Sequence, residues 1–375
     1  MKKRILSIMI VAALALSMTA CGAASDETTA EGNVTTTVST AEKADEEKEE
    51  NKAEETEKEA EETTVEETTA PETTTEETTT TVAPLEIYEA TAEDFEYQYD
   101  AVLKGIKITR YNGDQKIEAI QIPAEIDGEP VVSVELYVSW YNLKKVILPD
   151  SITVIPDNAF SNCSQLTDIN IPYGVTSIGY YAFSCGSYND QPLEELIVPD
   201  SVTSIGEGAF CNFNVEKIII PDSITEIKAK TFSSCKNLKE VVLPDSVAYI
   251  GESAFDCSGI EKINIPEGVT TIESQTFRLC ENLKELTLPS TIASIGSQAF
   301  ESSGIEILEI PENVHTIGRY AFSNCSSLKK VNIPGNVEKI EYGCFSNCNN
   351  LEEVIISAGV TSIDNVAFES CPKLR

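Results

Sequence analysis

The sequence predicts a β-rich solenoid of about ten coils, each 22 or 23 residues long, and two regularities carry that prediction. A proline recurs along the chain at steps of 22 or 23 residues, with one step of 27. A phenylalanine follows each repeat position by eleven residues. One such unit cannot bury its apolar residues alone, so successive units must stack to form a core. The repeat positions are Pro149, Pro172, Pro199, Pro221, Pro244, Pro266, Pro289, Pro311, Pro334 and Ser357, and the aromatic positions are Phe160, Phe183, Phe210, Phe232, Phe255, Phe277, Phe300, Phe322, Phe345 and Phe368.

Within each unit, alternating aliphatic residues end at the proline and predict a short strand with one face inward. Val331 and Ile333 before Pro334 are an example. The proline ends the strand because its nitrogen has no hydrogen to donate to a neighbouring strand. A second aliphatic pair, such as Val175 and Ile178, predicts another extended segment, and the short Ala-Phe stretch predicts a turn of 3₁₀ helix. We therefore expect parallel sheets along the solenoid.

The unit L-x-x-[VIL]-x-[IL]-P-x-x-[VI]-x-x-I-G-x-x-A-F resembles the leucine-rich repeats of the BspA-like type, which are found in bacterial surface proteins. The resemblance covers the chain from about Leu143 to its C-terminus. The preceding stretch from Gly105 to Val134 resembles the segment common before such arrays, and it would cap the first coil. The resemblance implies a leucine-rich-repeat solenoid with a curved parallel sheet. It also implies binding or adhesion, without a fixed set of binding residues.

The N-terminal residues predict export and lipid anchoring. Residues 1–20 combine a basic start with the apolar run ILSIMIVAALALSM, which is too short for a membrane span and indicates a signal peptide. The stretch MTAC, ending at Cys21, resembles a bacterial lipobox in which the cysteine after the cleavage site is lipidated, with Met18 in place of the usual leucine. We therefore expect a lipoprotein on the outer face of a Gram-positive bacterial cell. An ordinary signal peptide with an incidental Cys21 is the alternative.

An acidic linker follows the predicted anchor. From Gly22 to Pro84 the chain carries 20 Asp and Glu against 4 Lys, and almost no large apolar residue. Such a stretch cannot bury enough surface to offset its chain entropy, so we expect it to be disordered. The predicted order is signal peptide 1–20, lipidated cysteine and linker 21–84, capping segment 85–134 and solenoid 135–375. The formal net charge of −35 over 375 residues argues against nucleic acid and anionic lipid as binding partners.

Eleven cysteines raise the question of disulfides or a metal site. Ten lie in the repeats, and six of these occupy one position, fourteen residues after the proline. Equivalent side chains on stacked coils point in the same direction, so we expect buried free thiols; a disulfide ladder or a metal site is the alternative. The single histidine, His315, adjoins an inward position and should face solvent, so we predict no metal, no cofactor and no enzyme activity. The six equivalent cysteines are Cys163, Cys235, Cys280, Cys325, Cys348 and Cys371.

The outward positions of the first strand divide into a charged half and an apolar half. Towards the C-terminus, Lys and Glu alternate from coil to coil, as in Glu216 and Lys239, which predicts cross-strand ion pairs. Towards the N-terminus, a β-branched stripe lies two residues before the proline, near the aromatic stretch LYVSWYNL and the irregular loop CGSYNDQP. Such aromatic residues suit either a binding surface or a cap on the first coil. The candidate ligand-binding residues are Tyr137, Trp140, Tyr141, Ile147, Tyr188, Ile197, Ile219 and Val242.

The predicted function is recognition of an extracellular protein, on a host or neighbouring cell, by a rigid module held on an anchored spacer. A structural component of the cell envelope and a carbohydrate-binding module remain as alternatives, and the latter would favour stacked, exposed aromatic residues. The last coil gives a separate expectation. The chain reaches Arg375 soon after Phe368 without the strand of a further coil, so Val360, Ile363 and Phe368 should leave apolar surface exposed.

Overall fold

A computed structural model describes residues 84–136, 140–186 and 192–375. The predicted signal peptide, Cys21 and the predicted linker up to residue 83 lie outside these ranges. The described chain forms a β-solenoid of about eleven turns, in which nearly every coil contributes one short strand to each of two sheets. No helix in this part of the chain is long and apolar enough to cross a bilayer. The predicted leucine-rich-repeat solenoid is therefore confirmed.

The first sheet contains the strands that end near the repeat prolines. All its strand pairs are parallel, and equivalent residues pair in register, as Ile218 does with Val241. Hydrogen bonding between strands divides this sheet into three runs. No strand pairing joins the last strand of one run to the first strand of the next. The first run contains β1 (Tyr88–Glu89), β4 (Ala119–Gln121), β7 (Lys145–Ile147) and β9 (Asp168–Ile169), the second contains β11 (Leu193–Ile197), β13 (Val215–Ile219), β15 (Glu240–Val242) and β17 (Lys262–Ile263), and the third contains β20 (Ile307–Glu309), β22 (Lys330–Ile333) and β24 (Glu353–Ile356).

The second sheet is built from the aliphatic pair that follows each proline. Most of its strands have two residues, of which the isoleucine or valine faces the core. An antiparallel hairpin, β2 with β3, forms its N-terminal edge, and β5 (Glu125–Ile126) pairs with β6. The strands are β2 (Phe95–Asp100), β3 (Gly105–Tyr111), β6 (Glu129–Val134), β8 (Val154–Ile155), β10 (Ser177–Ile178), β12 (Ser204–Ile205), β14 (Glu226–Ile227), β16 (Tyr249–Ile250), β18 (Thr271–Ile272), β19 (Ser294–Ile295), β21 (Thr316–Ile317), β23 (Lys339–Ile340) and β25 (Ser362–Ile363).

The third side of each coil is a series of tight turns rather than the predicted 3₁₀ helix. Hydrogen bonds from residue i to i−3 are present, as from Asp256 to Ser253, but left-handed residues interrupt them. Ser253 and Cys257 have φ of 57° and 60°, and a 3₁₀ helix needs negative φ at every residue. The one 3₁₀ helix in the described residues is Ala92–Asp94, before β2.

The core is a ladder of stacked phenylalanine rings. Phe255 is fully buried, and its ring lies 5.3 Å from that of Phe232 and 5.4 Å from that of Phe277. The same stacking joins all ten repeat phenylalanines, with ring centroids 5.1–5.9 Å apart. These spacings exceed the 4.7–4.9 Å between strands only slightly, so each ring contacts its neighbours on both sides.

The capping segment contributes strands to both sheets. Its β4 pairs with β7, with Ile120 opposite Val146, and its β6 pairs with β8. The segment therefore adds one turn before the ten that the proline spacing reveals. The β2–β3 hairpin and β1 extend the two sheets beyond that turn.

The last coil exposes apolar residues, as expected. Ile363 is 53% exposed, whereas Ile340 at the same position one coil earlier is 1% exposed. Val360 and Phe368 are half-buried. The exposed side chains lie on the C-terminal face of β24 and β25.

Candidate functional site

An apolar stripe runs along the outward face of the second run of the first sheet. Ile197 pairs with Ile219, and Ile219 pairs with Val242, so the three side chains occupy adjacent strands on one face. Ile197 is 61% exposed, Val242 is 41% exposed and Ile219 is half-buried. The sequence prediction of an outward β-branched stripe is confirmed for these three residues, which we call the apolar stripe.

Ile147 does not continue this stripe. It lies half-buried in β7, in the first run, and its neighbour in the stripe position is Asn170. The Asn170 side-chain amide donates to the carbonyl oxygen of Leu148 at 3.0 Å and accepts from its N–H at 2.9 Å, replacing backbone hydrogen bonds between the coils. The sheet run ends at this point, so Ile147 and the apolar stripe belong to separate stretches of surface.

Trp140 is not a surface anchor, and its placement among the binding residues was wrong. Its side chain is fully buried, its ring stacks on Tyr111 at 4.2 Å, and its indole N–H donates to the carbonyl oxygen of Ile117 at 3.0 Å. The tryptophan therefore packs against the capping segment and links it to the first coil. Tyr141 is 61% exposed. Tyr137 and Tyr188 lie outside the described residues.

The alternating charges form ion pairs between coils, as predicted. The Lys239 ammonium lies 2.9 Å from the Glu216 carboxylate, and the Lys329 ammonium lies 2.6 Å from Glu306. The hydrogen bond from Lys329 lowers the pKa of the Glu306 carboxyl, and that from Lys239 to Glu216 raises the pKa of the lysine. These groups are solvent-exposed, so each pair helps register more than stability.

The cysteines are free, mostly buried thiols with a structural role. All ten in the described residues are unpaired. The Cys235 thiol donates to the carbonyl oxygen of Phe210 at 2.9 Å, and equivalent thiols repeat this bond along the solenoid. Burial raises the pKa of the Cys163 thiol to about 12 and that of Cys325 to about 11, so both are protonated at neutral pH. Protonated, enclosed thiols are poor nucleophiles and poor metal ligands.

Other groups that could carry chemistry are dispersed. His315 is exposed, as expected from its position next to inward Val314. Within residues 84–136, 140–186 and 192–375, no three His, Cys, Asp or Glu side chains are grouped so that they could hold a metal ion.

The outward face also has a depression that the sequence pattern does not predict. A depression of about 940 Å³ lies where strand pairing lapses between β17 and β20. The sequence there, LKELTLP, fits the repeat as well as any other coil, so no signal in the pattern marks the gap. We call this the sheet-gap depression; its lining includes Leu286, Ile307, Glu309, Glu312, Asn332 and Ile355.

A family model for the BspA type leucine-rich repeat region matches the chain in six copies, over residues 131–255, 185–281 and 256–375. The chain belongs to this family. No curated protein matches the chain. The repeat solenoid described above is therefore that of a BspA-type repeat array.

Solved structures of bacterial leucine-rich-repeat proteins share this architecture. A leucine-rich repeat protein from Bacteroides ovatus is 25% identical with a TM-score of 0.65, over 76% of this chain and 81% of that one. A leucine rich cell surface protein from Faecalibacterium prausnitzii is 28% identical with a TM-score of 0.55, over 76% and 87%. The pneumococcal vaccine antigen PcpA, at 20% identity and a TM-score of 0.53 over 76% and 80%, shares the fold.

Proposed function

We propose that this protein is a lipid-anchored cell-surface protein that binds another extracellular protein through the outward face of its first sheet. The observation that carries the proposal is the apolar stripe of Ile197, Ile219 and Val242, exposed on a rigid parallel sheet. Contiguous exposed apolar side chains of this kind mark interaction sites. The BspA-type family, and the cell-surface description of the Faecalibacterium protein, support the placement outside the cell.

The anchor in this proposal is Cys21, which holds the protein on the outer face of a Gram-positive cell. The lipobox-like MTAC motif supports it. Growth with a fatty-acid probe should label the wild-type protein and leave Cys21→Ala unlabelled. Equal labelling of the two would remove the anchor from the proposal while leaving protein binding untouched.

Protein binding is tested by capture from extracellular and cell-surface extracts with the purified full-length protein. Ile197→Glu puts a charge on the most exposed residue of the apolar stripe, and should weaken capture of the partner by tenfold or more, which is the effect of losing an interface anchor. Tyr173→Ser is the matched control, because Tyr173 is 87% exposed but lies outside the apolar stripe. Equal capture by wild type and Ile197→Glu would contradict the proposal.

The same experiment addresses the two alternatives from the sequence. A structural role in the envelope would give partners in envelope fractions instead of surface extracts from other cells. A carbohydrate-binding module would favour stacked, exposed aromatic residues, and Trp140, the single tryptophan of the chain, is buried. We therefore place protein recognition ahead of both.

A further inference from the structure

Of the two interruptions between the runs of the first sheet, the one between β17 and β20 lies under the sheet-gap depression. Residues 286–288 belong to no strand, although their sequence has the strand pattern. The strand pairing of this coil with the next is a single bridge between Glu285 and Ile307, whereas β22 and β24 pair over four residues.

Two residues of the adjoining coil depart from the repeat pattern, and both line the depression. Ile307 stands in the row where Lys262, Glu285 and Lys330 continue the charge alternation, and it is 59% exposed. Glu309 lies in the row of the apolar stripe, whose other members in the ten coils are uncharged. This coil therefore has an apolar side chain where the repeat has a charge. It also has a carboxylate where the other coils have an uncharged residue.

Two carboxylates, those of Glu309 and Glu312, line the depression beside one ammonium group, that of Lys330. Neither Glu309 nor Glu312 has an ion pair within 4.0 Å among the described residues, because the nearby Lys330 is held by Glu353 at 3.1 Å. The chain as a whole is strongly acidic, with a formal net charge of −35. A ligand that enters the depression therefore gains from carrying a positive charge.

A side-chain amide beside Glu309 also lacks a partner. The Asn332 Oδ1 atom is buried without a hydrogen-bond donor, at the position where Asn170 uses both ends of its amide on the neighbouring backbone. A buried acceptor without a donor destabilises the protein. If the Asn332 amide rotates toward a ligand, a donor on the ligand would satisfy this oxygen and remove the destabilisation. Asn332 pairs with Glu309 across β20 and β22, so one planar group can reach both side chains.

We propose that the sheet-gap depression binds an arginine side chain, flanked by apolar residues, in an extended segment of a partner protein. The guanidinium group donates to the Glu309 carboxylate and to the Asn332 amide oxygen, which suits its planar set of five N–H donors. The flanking apolar residues contact Ile307 and Ile355, which are 59% and 41% exposed. This inference rests on the proposed function, and it names the chemistry that a partner needs.

The test uses the full-length protein and three fluorescent heptapeptides that differ only at the central residue, which is Arg, Gln or Glu between valines. Fluorescence polarisation should show the Arg peptide binding at least about tenfold more tightly than the Gln peptide, and the Glu peptide more weakly still. Glu309→Gln should abolish this preference. Glu267→Gln is the matched control, since it makes the same charge change on an exposed residue outside the depression.

Equal binding of the Arg and Gln peptides overturns the inference, as does equal loss in Glu309→Gln and Glu267→Gln. Asn332→Leu should also weaken binding of the Arg peptide, and unchanged binding in that variant overturns the two-sided contact proposed here. Failure of this inference is separable from failure of the proposed function, because capture that depends on Ile197 uses the apolar stripe and no peptide.

Discussion

Truncating one phenylalanine of the core ladder should destabilise the solenoid far more than removing a charge from its surface. Phe255 is fully buried between the rings of Phe232 and Phe277. Phe255→Ala removes a buried aromatic ring and leaves a cavity, for which about 3–5 kcal/mol is typical, and it ends two stacking contacts of about 0.5–1.5 kcal/mol each within that total. Glu261→Ala, at an exposed position six residues further on, should lower the free energy of unfolding by less than about 1 kcal/mol.

Urea unfolding followed by circular dichroism compares the two variants, and hydrogen exchange locates the damage. In a solenoid each coil is stabilised by its neighbours, so Phe255→Ala should reduce protection first at the Phe255 amide, which bonds to the carbonyl oxygen of Thr276 at 2.9 Å. Amides of the coil around Phe345 should keep more of their protection. Similar urea midpoints for Phe255→Ala and Glu261→Ala would refute the inward and outward assignments on which the fold description rests.

Three further predictions address the turns, the thiols and the ion pairs. A Cβ atom on Gly343 would lie 2.5 Å from the Tyr320 ring, so Gly343→Ala should lower the urea midpoint. The fall should be smaller when Tyr320 is also replaced by alanine. Equal effects with and without Tyr320→Ala would contradict this contact. Burial raises the pKa of the Cys280 thiol to about 12, so above pH 9 the thiol loses its proton more readily in the unfolded chain than in the folded one. The free energy of unfolding should therefore fall by about 1.4 kcal/mol per pH unit on account of this thiol. Cys280→Ala should flatten the decline in urea midpoint between pH 9 and 11, and an unchanged slope would count against this explanation. Lys239→Ala should leave the urea midpoint close to that of the wild type, because the pair with Glu216 is exposed. A clear fall in the midpoint would show that the charge rows do more than hold register.

The repeat could be predicted from the sequence because its inward positions are subject to one constraint, repeated in every coil. Every inward side chain must stack on its equivalents, so only aliphatic residues and phenylalanine fit, and the spacing becomes visible. The left-handed turn residues were not predicted, because the position two residues before the repeat phenylalanine admits Lys230, Ser253, Gln275 and Tyr320 alike, each with φ near 60°. Tolerance of many side chains at a strained φ leaves no pattern in the sequence.

The candidate site was predicted only where it follows the repeat. Ile197, Ile219 and Val242 could be assigned to the surface because strand alternation fixes their direction. Trp140 was misassigned because its partners, Tyr111 and the Ile117 carbonyl, lie in the capping segment, outside the repeat register. The lapse in strand pairing at residues 286–288 likewise depends on how neighbouring coils sit, which periodicity does not report.

In a solenoid of this type, stacking determines the inward residues and leaves the outward residues free. Information about a partner must therefore reside in outward departures from the repeat. Most of the outward face follows a rule that stacking alone explains, since alternating Lys and Glu pair between coils. Two stretches lie outside this rule. The β-branched run from Ile197 to Val242 forms a separate outward row, and one coil has Ile307 in a charged row and Glu309 in an uncharged row. Neither stretch is needed to close a coil or fill the core, and the two contacts proposed above, with the apolar stripe and with the sheet-gap depression, rest on them.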